Sequence, residues 1–125
     1  MDFNTDRENM VKNQVMPSDV TNKRLLKAML EIPREEFVPI EHISQAYNED
    51  IISVSNGRQI IESRFLGKMI NAFNPRPNEL ILDVGAVLGY STAILAKMSQ
   101  AVVMLERPEL CKNRESLFTE LGLDN

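Results

Sequence analysis

The stretch from Leu80 to Glu106 constrains the fold more than any other part of the chain. It contains an apolar run, a glycine-containing turn, an amphipathic helix and a second apolar run, and Glu106 closes it. Two strand-like runs joined through a helix form a right-handed parallel unit. The order is that of the first half of a nucleotide-type binding domain, in which a ligand lies on the turn and an acid holds its ribose. The sequence therefore predicts an α/β fold.

The remaining segments are predicted to be mainly helical, with prolines between short elements. We expect helices at 6–15, 41–47, 62–73, 90–99 and 108–121, and strands at 51–54, 80–84 and 101–105. A further helix, capped by Asp19 or Thr21, ends at Pro33. The run 80–84 is aliphatic almost throughout, which is typical of a parallel strand covered on both faces. We expect one domain with two parts, a helical N-terminal region at 1–60 and a partial ligand-binding region at 61–125.

Composition excludes several classes of function. The net charge is −4, without the basic footprint of a nucleic-acid-binding protein. No apolar stretch has the length of a membrane span, and the polar start MDFNTDRENM is no secretory signal. The single cysteine fits a reducing compartment, so we expect a cytoplasmic protein. One cysteine and one histidine, His42, build neither a metal cluster nor a Ser/His/Asp triad.

The candidate ligand site consists of the turn after the first run and the acid after the second. Gly85 directly follows the strand, where it allows a tight turn and close approach of a ligand to the backbone. Gly89 precedes a helix whose N-terminal end favours an electron-rich ligand. Glu106 is placed to accept hydrogen bonds from ribose hydroxyls. Two alternatives stay open at this point. The glycines can serve packing in a simple strand-to-helix connection, and Glu106 can be an exposed carboxylate at the end of a strand.

The chain resembles the protein-L-isoaspartate O-methyltransferase family over essentially its whole length. The PRE-FVP segment and the Gly-Tyr-Ser-Thr-Ala entry to the helix are the most specific matches. The supporting segments are MVKNQV at 10–15, DVTNKRLLKAMLEIPREEFVP at 19–39, AYNED at 46–50, LILDVGAVLGYSTAILAKM at 80–98 and VVMLER at 102–107.

The resemblance implies an enzyme that uses S-adenosylmethionine to methylate isoaspartyl carboxylates in damaged proteins. It also implies the first β-α-β-α part of a Rossmann-like methyltransferase core, preceded by a helical N-terminal region. Carried over from the family, Asp83, Gly85 and Gly89 line the methionine and ribose side of the cofactor, and Glu106 binds the ribose. No metal is implied, and the partner is a protein or peptide with isoaspartyl residues.

Two motifs depart from the family pattern. The middle glycine of a G-x-G-x-G loop is replaced by Val87, whose side chain is expected to crowd the cofactor. The serine of a Thr-Ile-Ser-x-Pro type motif falls at Ile61 and its proline at Ser63. Ile61 has no hydroxyl to donate. Ser63, two positions on, is the candidate substitute for the catalytic serine, and the alternative is a simple first-turn residue of the next helix.

The chain also ends at LGLDN, where the family would enter a third strand. We therefore expect weak or no activity from this chain alone, and either a homo-oligomer or a separate C-terminal half. One alternative is a non-catalytic interaction module derived from the family. Another is a different Rossmann-like binder, of a nicotinamide nucleotide for example, but the G-x-G-x-x-G spacing is missing.

Overall fold

A computed structural model describes residues 2–123. The chain forms two compact units, Met1–Asn74 and Pro75–Asn125, called here the N-terminal and C-terminal units. The predicted boundary after residue 60 lies inside the N-terminal unit. Asn71, on the helix beyond that boundary, accepts hydrogen bonds through Oδ1 from the backbone N–H groups of Thr21 (3.2 Å) and Asn22 (3.0 Å). The division at residue 60 stays a prediction.

The N-terminal unit is a set of helices with one short hairpin. Its α-helices are α1 (Phe3–Met10), α2 (Lys23–Glu31) and α3 (Ser63–Phe73). A π-helical turn (Val11–Val15) and 3-10 turns (Met16–Ser18, Arg34–Phe37, Ile40–Gln45, Ser55–Gly57) connect them. Strands β1 (Ile52–Ser53) and β2 (Gln59–Ile60) pair antiparallel.

The first helices begin and end at other residues than predicted. Helix α1 begins at Phe3 because Asp2 accepts the backbone N–H of Thr5 at 3.2 Å. The helical path continues past Pro17, which lies in the first turn of a 3-10 segment, where its missing N–H is tolerated. Neither Asp19 nor Thr21 caps α2. Its cap is Asn22, whose Oδ1 accepts the N–H groups of Arg24 and Leu25 at 3.0 and 3.2 Å.

A buried polar network explains the PRE-FVP segment. The Arg34 side chain is 1% exposed and donates to the carbonyl oxygens of Ala46 (2.6 Å) and Ile61 (3.0 Å). Tyr47 donates to the carboxylate of Glu35 and accepts the backbone N–H of Arg34 at 3.1 Å. Burial raises the pKa of Tyr47, and the hydrogen bond to Glu35 raises it further. The network fixes the turn between two prolines against the segments that follow it.

The C-terminal unit is a two-stranded parallel sheet with helices. Its strands are β3 (Leu80–Val84) and β4 (Ala101–Leu105), and its helices are α4 (Tyr90–Met98), α5 (Pro108–Cys111) and α6 (Arg114–Glu120). Leu80 pairs with Ala101 and Val84 with Leu105 at the two ends of the ladder. The predicted bounds of both strands are confirmed. The predicted helix at 108–121 is divided, because Asn113 adopts a left-handed conformation with φ 65°.

Two burial predictions are wrong. On β3, Ile81 is buried, but Leu80, Leu82 and Val84 on the opposite face are 76%, 60% and 65% exposed, so one face of the sheet lies open. On α3, apolar residues recur at helical spacing, which predicts one packed face. Leu66 and Ile70 are buried, but Phe65, Met69 and Phe73 are exposed.

The described residues contain no helix long and apolar enough to cross a membrane. Within residues 2–123, no three or more histidine, cysteine, aspartate or glutamate side chains are grouped to hold a metal ion.

Candidate functional site

The site is built on the loop that joins β3 to α4. Gly85 continues the sheet by donating its N–H to the carbonyl of Leu105 at 2.8 Å, and its φ is 72°. Gly89 caps α4 with a φ of 98°, and its N–H donates to the carbonyl of Ala86 at 2.9 Å. Positive φ values are accessible to glycine at little cost. The loop therefore turns sharply at both ends. Helix α4 begins directly after Gly89, so its N-terminal end lies at the loop.

Glu106 lies against this loop. Its Oε2 accepts the backbone N–H of Val87 at 2.9 Å, and its Oε1 accepts the N–H of Arg107 at 2.8 Å. The side chain is partly buried. Glu106 comes directly after β4, and the parallel pairing of β3 and β4 brings its carboxylate to the same sheet edge as the loop. The glycine turn and the carboxylate of Glu106 therefore lie next to each other, as the sequence predicted.

Asp83 connects the end of β3 to the first turn of α4. Its Oδ2 accepts hydrogen bonds from the hydroxyls of Ser91 at 2.7 Å and Thr92 at 2.8 Å. These bonds explain why polar residues occur in the first turn of α4, since both hydroxyls donate to the carboxylate at the end of β3. That Asp83 lines the cofactor stays a prediction. In the structure, its hydrogen bonds hold the start of α4 beside the loop.

Close packing and backbone conformation both favour glycine at position 89. A Cβ atom at this position would lie 2.8 Å from Cζ of Phe118 and 3.4 Å from Sδ of Met104. Such a distance to Phe118 requires the ring to move, and φ of 98° would strain any other residue. The alternative that the glycine serves packing is thus supported at Gly89, together with its part in the loop.

Val87 adopts a left-handed backbone conformation, which glycine takes at little cost. Its φ is 58°, in the region where a β-branched residue is a rare outlier. In this conformation, its N–H donates to Glu106. The sequence indicated that Val87 departs from the family pattern, but it gave no sign of this left-handed conformation.

The two candidate positions for the catalytic hydroxyl lie before and at the start of α3. Ser63 is 1% exposed, which is unfavourable for contact with a protein substrate. Ile61 is 38% exposed, and its carbonyl accepts Nη2 of Arg34 at 3.0 Å. Ser63 as a catalytic residue stays a prediction. The buried position of Arg34 was not predicted, although its place between two prolines in the PRE-FVP segment could have indicated it.

The chain matches known proteins over nearly its full length. The family model described as protein-L-isoaspartate(D-aspartate) O-methyltransferase matches residues 5–125. Proteins named protein-L-isoaspartate O-methyltransferase from Pelotomaculum thermopropionicum and Petrotoga mobilis are 32% and 31% identical over 121 and 126 residues. The alignments cover 96% and 100% of this chain but 53% and 59% of those relatives. The chain thus spans about half the length of the curated relatives that it matches.

Two solved structures have the same fold. A protein-L-isoaspartate O-methyltransferase superimposes with a TM-score of 0.76 at 20% identity, over 95% of this chain and 40% of that one. A Plasmodium falciparum protein of this kind, in complex with S-adenosyl-L-homocysteine, gives a TM-score of 0.71 at 20% identity, over 91% of this chain and 55% of that one. These likenesses confirm the predicted Rossmann-like methyltransferase fold class with its helical N-terminus. With the family model, they lead to one conclusion: the chain belongs to the protein-L-isoaspartate(D-aspartate) O-methyltransferase family.

Proposed function

We propose that this chain binds S-adenosylmethionine and carries the N-terminal part of an enzyme that methylates isoaspartyl carboxylates in damaged proteins. The observation that carries the proposal is the contact between Glu106 and the N–H of Val87, at 2.9 Å. It places an acid from the end of one parallel strand on the glycine turn of its neighbour, the arrangement that nucleotide-type sites use. The complex of the Plasmodium falciparum protein with S-adenosyl-L-homocysteine supports the same choice of cofactor.

The residues present fit this cofactor. Glu106 presents a carboxylate, which accepts hydrogen bonds through both oxygens, and ribose hydroxyls can donate to such a group. Its orientation is fixed beforehand by the two backbone N–H groups that it accepts. Gly85 has no side chain to obstruct approach to the turn, and the negative charge of Asp83 favours a cationic group nearby. When bound, S-adenosylmethionine supplies a methyl group on a sulfonium centre.

The remaining task of the protein is alignment. An isoaspartyl carboxylate is already a nucleophile, so the enzyme must hold it in line with the methyl group and exclude water. Ile61 offers no hydroxyl for this purpose, and Ser63 is buried. We therefore expect cofactor binding from this chain with weak or no methyl transfer. A homo-oligomer and a cytoplasmic location stay predictions.

Calorimetry with S-adenosylmethionine tests the proposal. The wild-type chain should release heat with a 1:1 stoichiometry, and Glu106→Gln should bind more weakly. Transfer of a radiolabelled methyl group to an isoaspartyl peptide, beside the same peptide with normal aspartate, measures residual activity. Absence of cofactor binding by a folded wild-type chain would contradict the proposal.

A second candidate function is a non-catalytic interaction module. The burial of Ser63 and the open face of the parallel sheet favour it. This alternative predicts no heat with S-adenosylmethionine and unchanged behaviour of Glu106→Gln. The same titration therefore separates the two functions.

A further inference from the structure

The turn of the short hairpin combines exposure with an Asn-Gly sequence. It is the 3-10 turn Ser55–Gly57, which joins β1 to β2. Ser55 and Gly57 are both exposed. Apart from the chain neighbours of Gly57, no atom of the described residues lies within 4 Å of the position that its Cβ atom would occupy. The sequence places Asn56 directly before Gly57, and this is the one Asn-Gly pair in the chain.

A glycine after an asparagine permits an intramolecular reaction that removes the carboxamide. The backbone nitrogen of Gly57 attacks the side-chain carbonyl carbon of Asn56, and a new C–N bond closes a five-membered succinimide ring. The carboxamide nitrogen leaves as ammonia and takes the proton of the backbone N–H. One water then opens the ring at either carbonyl, which gives aspartate or isoaspartate. Because both reacting groups lie in neighbouring residues, the step is effectively unimolecular.

Gly57 obstructs this reaction less than any other residue would. It has no side chain beside the attacking nitrogen, and it adopts conformations on both sides of φ 0° at little cost. The asparagine Asn48 is also exposed, but it is followed by Glu49, whose side chain hinders the attack. Asn71 is followed by alanine, and its Oδ1 is held by two backbone N–H groups. The sequence therefore singles out Asn56.

The hairpin around the turn is too short to hold it rigidly. Each of its strands has two residues, and the pair nearest the turn is Ser53 with Gln59. Beyond this pair, the N–H of Val54 donates to the carbonyl of Arg58 at 2.8 Å. A two-stranded hairpin is marginally stable by itself, and exposed segments with few buried contacts open locally at low cost. Ring closure at the turn therefore does not require the chain to unfold.

We propose that Asn56 deamidates spontaneously in the folded chain and that the isoaspartyl product disrupts the hairpin. In isoaspartate the main chain runs through the former side chain, which adds one atom between Val54 and Arg58 and exposes a new carboxylate. The pairing of Ser53 with Gln59 is set for the original turn length, since register in a hairpin is fixed by its turn. Isoaspartate is the group that the proposed enzyme methylates, but its formation requires neither an enzyme nor a cofactor.

The test follows conversion of the purified full chain without S-adenosylmethionine, in mildly alkaline buffer with and without urea. Tryptic peptide 35–58 contains both Asn56 and Asn48, and tandem mass spectrometry locates the mass gain of amide-to-acid conversion. A protease that cleaves before aspartate but not before isoaspartate separates the two products. Asn56 should convert in the folded chain at a rate within roughly tenfold of the rate in urea. Asn48 should convert at least about tenfold more slowly.

Two variants separate the chemistry from the fold. Asn56→Gln requires a six-membered ring, so conversion at this position should be lost. Gly57→Ala places a methyl group beside the attacking nitrogen and should slow conversion by roughly tenfold. Because φ of Gly57 is 73°, alanine also strains the turn, and Asn56→Gln is the variant that decides. Amide hydrogen exchange of Val54, measured by NMR, should be several-fold faster in the isoaspartyl chain than in Asn56→Gln.

Each outcome decides the proposal. Isoaspartate at Asn56 in the folded chain, absent from Asn56→Gln, supports it. Conversion that occurs only in urea, or equally fast at Asn48, overturns the assignment of the site. Unchanged exchange of the Val54 N–H in the isoaspartyl chain overturns the structural consequence. Because no methyl transfer is measured, failure here leaves the proposed function standing.

Discussion

Replacing Val87 by glycine tests whether the loop at the candidate site is strained. The φ of 58° at Val87 is unfavourable for any residue with a Cβ atom, and most unfavourable for a β-branched one. The strain is retained because the N–H of Val87 donates to Glu106 in this conformation. Glycine adopts the same conformation without that penalty.

The expected gain follows from two opposing effects. A left-handed conformation at a residue other than glycine costs about 1–3 kcal/mol. Glycine, in turn, loses more conformational entropy on folding, which costs roughly 0.5–1 kcal/mol. Val87 is partly exposed, so its side chain contributes little buried area to offset the gain. Val87→Gly should therefore raise the free energy of unfolding by about 1 kcal/mol, within the range of roughly 0–2.5 kcal/mol that the two effects allow.

Urea denaturation followed by circular dichroism measures this change. Val87→Ala is the matched control, since alanine removes the bulk of the side chain but keeps the Cβ atom that causes the strain. The alanine variant should recover only a small part of the gain. If Val87→Gly proves less stable than Val87→Ala, the strain argument is refuted.

Val87→Gly also tests whether the cofactor lies on this loop. Restoring the glycine removes the side chain that is expected to crowd the cofactor, so binding of S-adenosylmethionine should strengthen. Titration calorimetry of Val87→Gly beside the wild type measures the effect. An unchanged affinity would mean that the cofactor does not lie on this loop.

Three further predictions concern Glu106, Gly89 and Tyr47. Glu106→Gln removes the charge that we propose binds ribose, so the dissociation constant for S-adenosylmethionine should rise by roughly 10- to 100-fold in calorimetry. Gly89→Ala should lower the free energy of unfolding by roughly 1–3 kcal/mol in urea denaturation, from backbone strain and overpacking. Gly122→Ala, with φ of 72° and no atom within 4 Å, should lose only the part due to strain. Burial raises the pKa of Tyr47 in the folded chain, so stability should be intact below the ordinary tyrosine pKa of about 10 and fall as pH rises above it. Denaturation from about pH 8 to about pH 11, two units below that value to one unit above it, checks this in the Tyr90→Phe variant, in which Tyr47 is the single tyrosine. Tyr47→Phe should weaken the dependence.

The α/β core could be predicted from local sequence. The runs at Leu80–Val84 and Ala101–Leu105 are short, aliphatic and bounded by polar or glycine residues, so both strands begin and end where they were expected. The spacing of Gly85 and Glu106 predicted that the turn and the acid lie close together, because parallel strands place their carboxyl ends at one sheet edge.

Burial and capping could not be predicted in the same way. The pattern of β3 indicates cover on both faces, but it does not tell which chain segment provides that cover, and Leu82 is 60% exposed. Asn22 caps α2 in place of Asp19 because Asn71 holds the backbone there, a contact between residues distant in sequence. The left-handed conformation of Val87 depends likewise on Glu106, nineteen residues away.

A crystal structure of this chain with S-adenosyl-L-homocysteine would locate the cofactor. We expect the ligand on the loop from Gly85 to Gly89, with its ribose hydroxyls donating to the carboxylate of Glu106. Ligand density elsewhere on the chain, or a ribose without contact to Glu106, would contradict it.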